Sequence, residues 1–239
     1  MTATDPLHDL LRSFAHKMAG GYDTTAVLHD LCDQVAQIFG VTGAGVALVD
    51  SAGDLRFVTA TVERVVEIER TQEKLQEGPC YAALDTGNPK VVSDIAGSEQ
   101  WPRYRPHAER LGLRSVLGVP LSIGDQRIGA LNIYDAERRE WADEEVAASR
   151  VLADMAAAYV INATELEQSR RLATQLQEAL DSRVVIEQAK GKLAGSEGIS
   201  VDQAFNRLRR HARNNNASIR QVAQSVVELG LQLPDEEGN

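Results

Sequence analysis

Hydrophobic and polar positions follow three rhythms along this chain. Two helical segments open it. In the second, from about Thr24, Val27, Leu28, Leu31, Val35 and Ile38 form one apolar stripe that Gly40 stops. The rhythm then shortens. Residues 44–50 and 54–60 read as strands joined by a Ser-Ala-Gly-Asp turn, and 62–76 as a charged helix. After a Gln-Glu-Gly-Pro-Cys loop come further strands at 90–94, 115–123 and 126–135, the last two joined by a Gly124-Asp125 turn. Strands that pair largely with sequence neighbours, with helices between them, predict an α+β fold built on an antiparallel sheet.

From Asp143 the period lengthens. Leu152, Tyr159, Leu166, Ala173 and Leu180 recur every seven residues, with Met155 and Leu176 at the companion position and Asn162 and Ser169 interrupting it. No proline or glycine falls between Glu140 and Lys190. One reading is an amphipathic helix packed on the preceding domain. The other is a coiled coil that dimerises the chain, which the length of the seam favours. Two short helices follow, each opened by a capping-box pair, Ser200 with Gln203 and Ser218 with Gln221. The first has an apolar face of Val201, Ala204, Phe205, Leu208 and Ala212. At about 100° per residue, Arg210 and Arg213 lie opposite that face, with Arg207 and Arg209 on its flanks. The second has Ile219, Val222, Ala223, Val226 and Leu229, and Gly230 ends it. Helices from about 175 to 230 predict a three-helix bundle, with a disordered tail at 234–239.

Residues 185–194, VIEQAKGKLA, carry a glycine inside a helical pattern. That costs about 1 kcal/mol relative to alanine. Gly191 therefore marks either a close backbone approach or a weakened last turn. Lys190 and Lys192 stand about 200° apart on the helix and cannot share a face.

Composition adds little until charge is mapped. The 239-residue chain has a net charge of −10, yet residues 183–220 hold 8 Lys and Arg against 3 Asp and Glu. A local basic excess suits a polyanionic partner because screening confines fields to about 8 Å. No run of about 18 apolar residues is present, which argues against a membrane span. The N-terminus has no signal-peptide pattern, and the two cysteines, Cys32 and Cys80, sit in no CxxC pair. A reducing, cytoplasmic setting is expected.

Catalytic motifs are missing. There is no P-loop, no GxGxxG after a strand, no HExxH and no GxSxG, and the five histidines lack ligand spacing. No metal and no cofactor are identified, and the chain does not read as an enzyme. Cys80 is the one candidate nucleophile. Its place at a helix start would lower its pKa, although a small buried residue under a loop fits as well. Lys190, Lys192 and the arginines from 207 to 220, with Asn214 to Asn216, suit phosphate and base contacts, or else form a solvated face.

Residues 179–227 resemble an ANTAR domain, an RNA-binding antiterminator module. Its marks are Ser182-Arg183, Ile186 to Gly191, Ala204-Phe205, Leu208-Arg209 and Val222-Ala223. Ala194 departs from the methionine many members carry. Residues 20–160 resemble a GAF domain through EGPCYAALDTGNPKVVSDI, WPRY, GLRSVLGVPL and IGALNIYD. These resemblances imply a GAF sensory domain over 1–160, a helical coiled-coil linker over 161–178 and an ANTAR bundle over 179–233. They imply a homodimer that binds paired hairpins in nascent RNA, gated by a small-molecule or redox signal at the GAF domain. By family and charge, Arg183, Gln188, Lys190, Lys192, Arg209 and Asn216 are the expected RNA contacts. Ala189 and Gly191 would permit close approach, while Phe205, Leu208, Val222 and Val226 are expected in the core. Cys80 is the candidate redox or ligand-pocket residue. Two alternatives stand beside this: a sensory dimer whose basic helices bind protein or DNA, and a Cys80-dependent reductase of the GAF type.

Overall fold

The computed structural model describes residue 12 and residues 23–234. The expected first helix and the tail beyond Pro234 lie outside the described residues. The chain divides into two compact units, 1–165 and 166–239.

In the first unit, α1 (Thr24–Phe39) is capped by Asp23 and ended by the left-handed Gly40. Strands β1 (Gly43–Val49) and β2 (Leu55–Ala60) lead into α2 (Glu63–Leu75) and α3 (Pro79–Thr86). Then come β3 (Lys90–Val92), α4 (Arg105–Arg110), β4 (Ser115–Ile123) and β5 (Gln126–Asp135). The five strands form one antiparallel sheet in the order β2-β1-β5-β4-β3. Only the β1–β5 pairing joins strands distant in sequence, so pairing of neighbours read correctly for the rest.

Because side chains alternate across a strand, the sheet has two inner faces. One packs Val46, Leu117, Val119, Leu121, Leu131 and Ile133 against Leu28, Leu31 and Val35 of α1, and against residues from Leu152 to Val160 of the long helix that follows the sheet. The other carries two apolar clusters. The larger holds Val65 and Ile68 of α2 with Val116, Tyr104 and Tyr134, and the smaller holds Cys80 with Ala47 and Ala130.

Helix α5 (Asp143–Glu197) spans 55 residues and starts with three acidic residues in its first turn, which suits the helix dipole. It contains a stretch long and apolar enough, by length and composition alone, to cross a membrane. Leu152, Ala153, Ala156, Ala157 and Val160 of that stretch are buried against the sheet. Asp154 and Asn162 break the run, so counting consecutive apolar residues passes over it. The heptad seam divides in the same way. Leu152 and Tyr159 belong to the sheet's core, whereas Leu166, Ala173, Leu176 and Leu180 are exposed, as are Leu172 and Val184 beside the seam.

In the second unit the end of α5 packs with α6 (Val201–Asn214) and α7 (Ile219–Glu228). Ala189, Leu193, Ala204, Leu208, Ala212, Val222, Ala223 and Val226 make its core. Both capping boxes form. Ser200 Oγ accepts from Gln203 N at 3.1 Å and Ser218 Oγ from Gln221 N at 3.2 Å, with the glutamines accepting the serine N–H groups in return.

Candidate nucleic-acid interface

Gly191 lies inside α5 rather than at its last turn. The helix continues to Glu197, and the left-handed Gly198 follows it. A methyl group added at Gly191 would meet nothing within 4 Å. A weakened last turn and a close approach by a neighbouring helix are therefore both overturned. The glycine leaves bare, solvent-facing backbone between its two lysines.

The 200° between those lysines has a direct consequence: they serve different helices. Lys190 Nζ stands 5.4 Å from the centroid of the Phe205 ring on α6 and bonds the Glu187 carboxylate at 2.8 Å. Its side chain is only 15 % exposed. Lys192 Nζ donates to the Val226 and Val227 carbonyls at 2.9 and 3.1 Å, near the end of α7. A cation there satisfies carbonyls that the helix leaves open and complements its dipole.

Phe205 does not join the bundle core, contrary to expectation. At 100° per residue it sits about 60° off the line of Ala204, Leu208 and Ala212. It is half-buried and carries the Lys190 ammonium. Val201, expected on the same apolar face, is 47 % exposed at the helix start. Arg209 follows Phe205 by four residues and is exposed, so Lys190, Phe205 and Arg209 line one flank of α6, with exposed Arg213 a turn further on toward the face opposite the core.

Arg207 lies on the other flank and serves structure. Its guanidinium pairs with Glu197 at the end of α5 and donates to the Leu233 and Pro234 carbonyls at 2.7 and 2.9 Å. One side chain, 10 % exposed, thus ties α6 to α5 and to the segment after α7. Arg183 and Gln188 are exposed on α5. Asn216 has φ of 50° and closes the turn after α6, where Ala217 N bonds Ala212 O at 2.9 Å. Asparagine tolerates that left-handed conformation, which accounts for the residue without RNA; its side chain remains exposed.

In the first unit Cys80 takes the second position of α3 and is fully buried. Burial pushes its thiol well above the usual range, the nearby Glu69 carboxyl adds to this, and Asn132 only partly offsets it. The reading of Cys80 as a small buried residue holds, and the lowering at a helix start does not, because desolvation of a thiolate outweighs the dipole of so short a helix. The sequence reading missed Glu69 altogether, since 62–76 looks like a charged surface helix. Its signal was present: Val65, Ile68, Glu69 and Gln72 are spaced as one helical stripe, and all four are buried.

A GAF domain model matches residues 23–160, and an ANTAR domain model matches 174–227. No curated protein resembles the chain closely enough to count as a match. Among solved structures, the GAF domain of an Acinetobacter phosphoenolpyruvate-protein phosphotransferase is 14 % identical with a TM-score of 0.58, over 70 % of this chain and 99 % of that one. The GAF domain of the Coxiella burnetii phosphoenolpyruvate-protein phosphotransferase is 17 % identical with a TM-score of 0.56, over 68 % and 96 %. The free methionine-R-sulfoxide reductase of Neisseria meningitidis, solved with its substrate, is 19 % identical with a TM-score of 0.55, over 70 % and 96 %. At such identities the likeness speaks for the fold alone. With the sheet, the bundle and both matches in place, the chain belongs to the GAF family and carries a C-terminal ANTAR domain, an RNA-binding module of antitermination regulators.

Proposed function

We propose that this protein is a signal-responsive antiterminator. As a homodimer, it binds paired hairpins in nascent RNA through its ANTAR bundle and is gated by a small-molecule signal at its GAF domain. The carrying observation is the flank of Lys190, Phe205 and Arg209, with Arg213 beyond it, on a bundle that matches the ANTAR model. Cations neutralise phosphates, and a half-exposed aromatic ring beside them suits the unstacked bases of a hairpin loop. Gly191 lets the RNA backbone approach α5 next to Lys190. Arg183, Gln188 and Asn216 extend the contact. Lys192 and Arg207 hold the bundle together, and Lys192 contributes field more than contact.

The exposed stripe from Leu166 to Val184 supports the homodimer. Leu166, Leu172, Leu176, Leu180 and Val184 recur at helical spacing, and a second α5 would cover them. Two bundles in one dimer raise the effective concentration of the second hairpin. A redox signal at Cys80 loses support from its burial, as does the Cys80-dependent reductase. The GAF and ANTAR families are regulatory rather than catalytic.

The test is to crosslink the protein to RNA in cells, recover the transcripts and measure binding of the full chain to them. Paired hairpins upstream of terminators are the expected yield. Recovery of duplex DNA, or of no RNA, would favour the reading in which the basic helices serve another partner. Lys190→Ala is expected to weaken binding with the fold intact, and unchanged affinity at moderate salt would remove Lys190 from the interface.

A further inference from the structure

The centre of the sheet face under α2 is polar, where its surroundings are apolar. Asn132 on β5 pairs in register with Gly45 of β1 on one side and Gly118 of β4 on the other. Neither neighbour has a side chain, so a notch opens around Asn132. A methyl group at Gly45 would stand 3.1 Å from Glu69 Cγ, and one at Gly118 3.2 Å from Asn132 Oδ1. Glu69 fills this notch and is 2 % exposed. Its Oε1 accepts from Tyr134 OH at 2.6 Å, from Asn132 Nδ2 at 2.9 Å and, weakly, from Gln72 Nε2 at 3.5 Å. Gln72 Nε2 also donates to Tyr134 OH at 2.8 Å, and Gln72 Oε1 accepts from Cys80 N at 3.1 Å. Among the described residues, two buried oxygens in this cluster, Glu69 Oε2 and Asn132 Oδ1, have no hydrogen-bond partner.

A buried carboxylate is ordinarily paired with a cation. Here the titratable groups around it are Cys80 of α3, Tyr104 ahead of α4, Tyr134 of β5 and, across the sheet, Cys32 of α1. All four are acids that are neutral when protonated. At the positions paired with Asn132, β1 and β4 present only glycine. No cation bears on Glu69 from any of these elements.

We propose that the Glu69 carboxyl is a reversible proton-binding site in the sensory domain, one whose ionisation leaves an unpaired charge between α2 and β5 and loosens α2 from the sheet. A proton neutralises the charge and leaves the apolar clusters on either side tightly packed. Burial pushes the Glu69 pKa up to about 7, against the hydrogen bonds from Tyr134 and Asn132, which lower it. Burial and the Glu69 charge raise Cys32, Cys80, Tyr104 and Tyr134, so none of them titrates in the same range. Protons thus become an input to the GAF domain near neutral pH.

Infrared difference spectra of the full chain, from about pH 5 to about pH 9, test this. The carbonyl band of a buried, protonated carboxylic acid is expected at the acid end. It disappears with a midpoint within about one unit of 7 and is missing from Glu69→Gln. The variant's thermal midpoint stays level across the range where the wild type's falls. A band that does not titrate in that range, or a Glu69→Gln profile that matches the wild type, overturns the proposal. If Glu69→Gln does not fold, Tyr134→Phe serves instead. It removes a donor that favours the ionised form, so the band's midpoint must move upward, and an unmoved midpoint is equally fatal. No RNA enters these measurements, so their failure leaves the RNA reading untouched.

Discussion

The two units differ in how they use polar groups inside their cores. The GAF unit buries a cluster, Glu69, Gln72 and Asn132, in the middle of a large core, while its ion pairs lie mostly at the surface. The ANTAR unit keeps its charges at the surface or boundary of a small core. There Lys190, Lys192 and Arg207 each reach across to another element. The difference follows from size. A sheet with two covered faces can bury a charged or partly unpartnered group and remain folded, at a cost that varies with pH. A bundle of about 50 residues has little apolar area to spare, so long cationic side chains serve as ties. The first arrangement suits a responsive element and the second a stiff platform.

That contrast can be broken most sharply at Arg207. Arg207→Ala strands Glu197 and two carbonyls, and removing one partner of a buried pair costs about 3–5 kcal/mol. The lower end is expected because the Glu197 side chain is 24 % exposed. Chemical denaturation should show the loss in the transition of the bundle and leave that of the sheet domain in place. A loss shared equally by both would end the idea of a local tie.

The next effect is on the sheet domain. The folded Glu69 pKa is raised to about 7 from 4.5, so the folded state holds its proton where the unfolded state has lost it. Stability is therefore full below about pH 4.5 and falls as pH rises to about 7, by roughly 3 kcal/mol from this group. Glu69→Gln should remove that slope. Urea titrations at several pH values would measure it.

Gly118→Ala should cost about 2 kcal/mol by overpacking, since its methyl would press on the Pro79 carbonyl and on Asn132. A thermal melt that matches the wild type would mean that the notch has slack. The smallest effect belongs to Lys192→Met, about 1 kcal/mol, because the methylene stem is kept and only the bonds to Val226 and Val227 are lost.

Much of this was legible in the residues. The strands at 115–123 and 126–135 end where expected and the other three lie within two residues of their expected bounds, and both capping boxes follow from Ser and Gln three residues apart. The two faces of the lysines followed from helical angle alone, and they predict the two different partners found. What was not legible has common causes. Phe205 sits at the edge of an apolar stripe, where periodicity cannot tell core from rim. For Gly191 the pattern leaves a close backbone approach and a weakened last turn equally open, and packing on two neighbours, which lies outside that pattern, carries α5 past it. Of the two readings open for Cys80, the small buried residue is the one the structure bears out, and its burial is set by β1 and β5, which are distant in sequence. Glu69 was hidden by the exposed charges around it, although its stripe with Val65, Ile68 and Gln72 marked it.

The central claim is that the flank of α6 bearing Phe205 and Arg209 binds RNA. Its most direct test is the equilibrium affinity of the full chain for a recovered two-hairpin transcript, with Arg209→Ala beside Arg210→Ala, which lies about 100° away around the helix. Loss of a direct contact is worth about 1–3 kcal/mol, so Arg209→Ala should bind roughly tenfold more weakly with an unchanged melting profile, and Arg210→Ala nearly as well as the wild type. Equal affinity for Arg209→Ala and the wild type, or a greater loss in Arg210→Ala, would contradict the account.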